Sequence, residues 1–213
     1  MAYVLGFFTA DGCLTINPRG SHYIEFTNND KDVLEKIRDV LQSKHKIGNK
    51  TKNKINQKNG YRLQIGSQEM FKDLEKLGFM VRKSKIIQMP RVTHRFFPDF
   101  LRGYFDGDGC ISYGKYKYKD RKSKKFHILI RFICYNKIFL EQLSIIIEKL
   151  IKTKGKTIFY HERAYALAYS VTDSLKIINE MYKTKSIWMG RKYNSCKKAL
   201  KMYNNIKNSK VSI

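Results

Sequence analysis

Residues 100–110 read FLRGYFDGDGC, and residues 3–13 read YVLGFFTADGC. Each stretch is an apolar run that closes on Asp-Gly-Cys, and the second begins 97 residues after the first. Small residues recur four apart in both: Gly6 and Ala10 in one, Gly103 and Gly107 in the other. Residues at i and i+4 share a helix face. Glycine inside a helix costs roughly 1 kcal/mol against alanine, so paired small residues imply close approach of a second backbone. The pattern predicts two helices packed small face to small face. Their last acidic residues, Asp11 and Asp108, then come together at one end, each followed by a glycine suited to a helix C-cap.

The likeness extends outward from the motifs. YIEFTNNDKDVLEKI (23–37) matches LIRFICYNKIFLEQL (129–143), YRLQIGS (61–67) matches YALAYSV (165–171), and RKSKIIQM (82–89) matches YKTKSIWM (182–189). Four blocks in the same order make the chain two copies of one unit, residues 1–97 and 98–213. In the first copy, alternation predicts strands over 13–17, 22–27, 46–52 and 61–67. Helical spacing of Val33, Leu34, Ile37, Val40 and Leu41 predicts a helix to Gln42 with Asp30 as its N-cap, and a further helix covers 68–77. The unit reads α-β-β-α-β-β-α, and the class is α+β. In the second copy the first hairpin loop, GKYKYKDRKSKK (114–125), is swollen with charge.

Lys and Arg number 43 against 18 Asp and Glu, a net charge of +25 in 213 residues. A chain this basic repels itself unless a polyanion is present, so nucleic acid is the first partner to expect and an anionic membrane the second. No run approaches the ~20 apolar residues of a membrane span. The apolar start lacks a basic leader and meets Asp11 early, unlike a secretory signal. Cys13, Cys110, Cys134 and Cys196 have no metal-ligand spacing and read as reduced thiols. The lysine- and asparagine-rich composition points to a protein kept with DNA inside an organelle (mitochondrion or chloroplast) or in bacterial or phage cytoplasm.

Two carboxylates side by side at two helix C-termini repel each other and the helix dipoles. A divalent cation resolves that repulsion. Oxygen-only ligands with room for water suit Mg²⁺, with Mn²⁺ or Ca²⁺ able to occupy the same positions. Metal, paired carboxylates and a basic body together point to phosphodiester hydrolysis.

These two stretches resemble the LAGLIDADG motif, and the chain is similar to the single-chain, two-motif, monomeric type of LAGLIDADG homing endonuclease. The second copy is the more specific match; the first carries Thr9 where an acidic residue is frequent. The resemblance implies two saddle-shaped antiparallel sheets related by a pseudo-twofold axis, with the motif helices at the interface. It implies that Asp11 and Asp108 bind metal and that each serves one DNA strand. The resemblance further implies double-stranded DNA as partner and, as product, a double-strand break with short 3′ overhangs at a long site. It also implies a basic residue near each scissile phosphate and a polar side chain that orders water. Lys83 and Lys85 align with Lys183 and Lys185, of which Lys85 and Lys185 are preferred. Asn28 takes the polar position, and Cys134 aligns with it, so the two half-sites are not equivalent.

Base reading belongs to the sheet face opposite the core. In the first half that face carries Thr15, Asn17, Tyr23, Glu25, Thr27, Arg62 and Gln64, with Arg19 in the first turn. In the second it carries Ser112, His127, Leu129, Arg131, Ala166, Ala168 and Ser170. Arg62 and Arg131 suit guanine and Gln64 suits adenine. Lys115, Lys117 and the other loop lysines suit phosphate. Because the two faces differ, the target is asymmetric. The rival reading is an intron maturase, with its own intron RNA as partner, or a DNA-binding regulator that kept the scaffold without cleavage.

Overall fold

The computed structural model describes residues 1–50, 60–81, 87–117, 124–184 and 187–211. The first half runs α1 (Ala2–Asp11), β1 (Gly12–Ile16), β2 (His22–Asn28), α2 (Lys31–Val40), β3 (Ile47–Lys50), β4 (Gly60–Gly66) and α3 (Gln68–Lys76). A connector ending in a 3₁₀ turn (His94–Phe96) leads to the second half. This comprises α4 (Phe97–Asp108), β5 (Gly109–Lys117), β6 (Lys124–Cys134), α5 (Lys137–Ile151), β7 (Thr157–His161), β8 (Ala164–Tyr169), α6 (Val171–Met181) and α7 (Gly190–Val211). The strand orders are β1-β2-β4-β3 and β5-β6-β8-β7, antiparallel throughout. The same order twice is the duplication expressed in three dimensions, in an α+β fold. No described helix is long and apolar enough to cross a membrane.

α1 and α4 form the seam. A Cβ on Gly6 would strike the carbonyl of Phe100, one on Gly103 the carbonyl of Tyr3, and one on Gly107 the side chain of Ala10. Backbone therefore meets backbone, which only glycine permits. α1 buries Tyr3, Val4, Gly6, Phe7, Phe8 and Thr9, which spread around its circumference, as a helix enclosed on all sides must. Arg102 of α4 is fully buried yet satisfied. Its guanidinium donates to the Ile187 carbonyl at 2.9 Å and to the Met181 carbonyl, and pairs with Asp99.

Beneath the first sheet, Ile24, Phe26, Leu63 and Ile65 pack with Val33, Leu34 and Ile37 of α2 in one core. Beneath the second, Ile130, Phe132, Leu167 and Tyr169 pack with Phe139, Leu140, Leu143 and Ile147 of α5 in the same core. The alternation along β2 and β6 thus puts one face on helices and leaves the other for a partner.

Gly12 and Gly109 take the C-cap positions of α1 and α4, in an extended conformation with φ of −89° and −94°. Each strand leaves its helix with no cap turn. The glycine is needed because a Cβ would enter the ring of Phe8 or Phe105. α2 stops at Val40, and Gln42 then takes a φ of 51°. Asp30 sits at the α2 N-cap but makes no capping bond, because its carboxylate is taken by Arg191 at 3.0 Å. The second unit also gains α7, which the repeat does not foretell, and β5 and β6 extend through much of the stretch read as loop. None of the four cysteines is in a disulfide.

Candidate active site

Asp11 and Asp108 are the last residues of α1 and α4. The two helix ends abut: the Asp11 amide nitrogen lies 3.5 Å from where a Cβ on Gly107 would sit. From this shared end the carboxylates open into two cavities, one on each side of the seam. The Asp11 cavity, about 360 Å³, is also lined by Asn28, Lys50, Tyr61 and Arg191, and by Asp106 and Gly107 of the other motif helix. The Asp108 cavity, about 350 Å³, is lined by Tyr104, Arg131, Cys134, His161 and Glu162, and by Thr9 and Ala10 of α1. Each motif helix contributes to both cavities.

Asn28 donates its amide to Asp11 Oδ2 at 2.9 Å and accepts the Asp30 backbone N–H at 2.9 Å. Cys134 stands at the corresponding position of the second half, where its sulfur accepts the Asn136 backbone N–H at 3.4 Å. The hairpins differ too. β7 and β8 join through Glu162 and Arg163, both with positive φ (48° and 76°), a two-residue turn that sets His161 and Glu162 at the cavity rim. Lys85 and Lys185 lie outside the described residues, as does Lys83. The described cations at the cavities are Lys50 and Arg191 beside Asp11, and Arg131 beside Asp108.

Asp106 was not singled out by the sequence and is fully buried. Its Oδ2 accepts the Tyr3 hydroxyl at 2.6 Å and the Met189 backbone N–H at 2.7 Å, while Oδ1 has no hydrogen-bond partner among the described residues. Burial, opposed by those two donors, pushes its pKa from 3.8 up to about 6. The folded chain therefore holds this proton more tightly than the unfolded chain. Between about pH 4 and pH 6 its contribution to stability is lost as pH rises. Relative to Asp106→Asn, the wild type should lose about 1–3 kcal/mol across that window, read by urea unfolding in EDTA. Parallel curves for the two proteins would contradict the assignment.

The partner-facing side of the first sheet carries Thr15 opposite Tyr23, Glu25 opposite Gln64, and Thr27 opposite Arg62. Glu25 is already engaged, with ion pairs to Lys50 at 3.3 Å and Arg62 at 3.7 Å, so it orients cations. Asn17 lies past the end of β1, where its Oδ1 accepts the N–H groups of Arg19 and Ser21. It builds the turn and leaves Arg19 exposed at the tip. On the second sheet Arg131 pairs with Cys110, Leu129 with Ser112 and His127 with Gly114. Ala166 and Ala168 are buried, and Ser170 is not on the sheet but at the α6 N-cap. Lys115 and Lys117 belong to β5 and share the parity of Ile111, whereas Tyr116, 54% exposed, falls on the partner-facing side. Thr15 Oγ1, His127 Nδ1 and Arg131 Nε are buried without a hydrogen-bond partner among the described residues. Buried polar atoms are ordinarily paired; Thr15 on the first sheet and His127 and Arg131 on the second fit faces that close on polar groups from outside.

No described group of three or more His, Cys, Asp or Glu side chains converges on a metal position. The donor set at the seam is two hard carboxylates at open cavities. It fits a cation that completes its shell with water and substrate oxygens, in the manner of Mg²⁺, and does not fit a closed protein cage.

Residues 1–78 match the LAGLIDADG-like domain family and residues 101–203 the LAGLIDADG endonuclease family. The chain belongs to the LAGLIDADG homing endonuclease family. Solved structures of similar fold agree with this LAGLIDADG assignment. The meganuclease I-SmaMI, bound to uncleaveable DNA, superposes with a TM-score of 0.66 at 14% identity over 97% of this chain and 90% of its own. The I-LtrWI LAGLIDADG homing endonuclease, bound to target DNA, gives 0.65 at 14% identity over the same shares. The LAGLIDADG meganuclease I-AabMI, bound to uncleaved DNA, gives 0.67 at 14% identity over 98% and 92%. A comparison with curated protein sequences found no match.

Sequence reading of this LAGLIDADG chain missed Lys50, Asp106, Arg191 and Lys192. For Lys192 a signal existed. Positions 192, 196, 199 and 203 recur at helical spacing, so a lysine interrupts the otherwise apolar stripe of α7. For Arg191 the signal was the match of Met189-Gly190-Arg191 to Met89-Pro90-Arg91. Nothing local revealed that Arg191 crosses to the Asp11 cavity of the other half.

Proposed function

We propose that the chain is a site-specific DNA endonuclease that makes a metal-dependent double-strand break, with short 3′ overhangs, at a long asymmetric target. The observation that carries this reading is the pair of carboxylates at abutting helix ends, each opening to its own cavity beside a sheet face. The family match and the DNA carried by structures of the same fold support double-stranded DNA as the partner.

A bound divalent cation, Mg²⁺ in the first place, would supply an activated water and charge neutralisation at the phosphate. Asp11 and Asp108 would hold it. Asn28 fixes the Asp11 carboxylate, and Lys50 and Arg191 offer positive charge to a phosphate on that side. Arg131 does the same beside Asp108. The sheet faces differ at nearly every equivalent position, so each half reads a different half-target.

The test is cleavage of a randomised DNA library with Mg²⁺, recovering cut molecules. Recovery of a single long asymmetric site supports the reading; no cleavage with any of Mg²⁺, Mn²⁺ or Ca²⁺ refutes it. Binding to the recovered site should also weaken steeply with salt. With six to ten phosphates contacted, affinity should fall about 10³–10⁵-fold between about 50 and 200 mM salt. A flat response, read by fluorescence anisotropy, would exclude a DNA surface of this charge.

A further inference from the structure

The first hairpin of each half starts in the same register, with Gly12 opposite Phe26 and Gly109 opposite Phe132. The two end differently. β1 and β2 have 5 and 7 residues, whereas β5 and β6 have 9 and 11. The shorter hairpin closes where Asn17 donates its N–H to the Ser21 carbonyl and accepts that of Gly20. The longer one runs on, with Gly114 opposite His127, Lys115 opposite Phe126, Tyr116 opposite Lys125 and Lys117 opposite Lys124. This extension lies at the end away from the seam. At about 3.3 Å per residue it carries the hairpin about 13 Å further out.

No third strand accompanies the extension among the described residues. β8 pairs with β6 only from Ile130 to Cys134, whereas β4 follows β2 out to Tyr23. A two-stranded ribbon by itself is marginal in water and needs further packing behind it. α7 supplies that packing. Its first turn is fixed at the root of the hairpin, where Lys192 donates to the carbonyl oxygens of Phe105 at 2.6 Å, Gly107 at 3.0 Å and Gly109 at 2.7 Å. Cys196 and Ala199, further along the same helix face, are buried. The Tyr203 ring then lies 6.2 Å from that of Phe126, inside the extension. From Lys192 to Tyr203 a helix rises about 16 Å, and from Gly109 to Lys115 a strand advances about 20 Å. Helix and hairpin thus run side by side from the root into the extension.

Phe126 faces α7, so the flanking pairs Gly114–His127 and Tyr116–Lys125 face the opposite way, on the side of Ser112 and Arg131. Tyr116 is 54% exposed and Lys125 is exposed. His127 Nδ1 is buried without a hydrogen-bond partner among the described residues. A two-stranded ribbon fits the DNA major groove.

We propose that this ribbon, braced by α7, is an added reading arm that makes the target unequal in length. At 3.4 Å per base pair, the half-site under residues 98–213 extends about four base pairs further from the cut than the half-site under residues 1–97. That length difference rests on the nuclease reading above; the bracing by α7 does not. Lys125 meets the outer end of the site, where a lysine suits guanine O6 and N7. Tyr203 is a positioning residue that acts through Phe126.

The test is cleavage of the recovered site with each base pair substituted in turn. The tract in which substitutions slow cutting should reach about four base pairs further from the cut on one side. Tracts of equal length overturn the proposal. Lys125→Ala should relax the preference about tenfold at the outermost positions of the longer side; relaxation elsewhere, or none, overturns the placement of the arm. Tyr203→Ala should relax the same outer positions and leave the cutting rate of the bound site unchanged, and Tyr203→Phe, which keeps the ring, should behave as wild type. Equal weakening at every position overturns the positioning role. Hydrogen exchange of the full chain without DNA reads the brace directly. In Tyr203→Ala the amides paired across residues 114–117 and 124–127 should exchange at least about tenfold faster, while β6 amides paired with β8 keep their rates. Unchanged protection of the ribbon overturns the brace. If Tyr203→Ala does not fold, Tyr203→Leu takes its place with the same outcomes required. A wild type that cuts no DNA refutes the nuclease reading, while hydrogen exchange still decides the brace.

Discussion

Asp108→Asn should cut one strand of the target at least about 10³-fold more slowly while binding it as tightly as the wild type. The substitution keeps shape and removes the charge that would hold a cation at the end of α4. Each factor of ten in rate is about 1.4 kcal/mol of transition-state stabilisation, and a cation at a transferring phosphate supplies several kcal/mol. Asp108 ends α4 and is not itself on a sheet face, so affinity should change little. Asp11→Asn should do the same to the opposite strand, because Asp11 opens into a separate cavity. Nicked DNA should therefore accumulate with either variant. The measurement is denaturing electrophoresis of a duplex labelled differently on each strand. Full double-strand cutting by Asp108→Asn would remove this residue from the chemistry.

Gly103→Val should destabilise the protein by about 3–5 kcal/mol, a large share of the 5–15 kcal/mol that holds a typical domain folded. A Cβ at 103 would meet the Tyr3 carbonyl and the Phe7 backbone nitrogen. Both neighbours are backbone, so no rotamer change can make room; α1 and α4 must separate along their length. Separation would also pull Asp11 from Asp108, so any folded remnant should lose double-strand cutting. Gly48→Ala is the control. Nothing lies within 4 Å of its added Cβ, and its stability should stay within about 0.5 kcal/mol of wild type. Urea unfolding followed by fluorescence compares the two. A Gly103→Val protein as stable as the control would mean that the helices do not meet at this contact.

Much of the scaffold was legible because it depends on local patterns. Ile24 and Phe26 alternate with Tyr23, Glu25 and Thr27 whatever the rest of the chain does, and this alternation assigns the two faces of β2. The four-residue spacing of Gly6 with Ala10, and of Gly103 with Gly107, announced a close helix contact because only missing side chains allow one. Gly12 and Gly109 were legible as helix C-caps, but the demand for glycine from the Phe8 and Phe105 rings is one the pattern does not display. Glu25 was read as a base-contacting residue, yet Lys50 and Arg62 occupy it, and Lys50 reaches it from another strand.

The sequence by itself determined the duplication, the two sheet faces, the basic character of the chain and the two acidic helix ends. Each of these is a matter of residue type and short-range period. Only the tertiary structure decided that Arg191 of the second half lines the Asp11 cavity and that Asp106 is locked by Tyr3 and Met189. Only it seated Lys192 on the carbonyls that end α4. Most of these partners stand more than 80 residues apart in the chain, and their meeting depends on how closely two glycine-faced helices can approach.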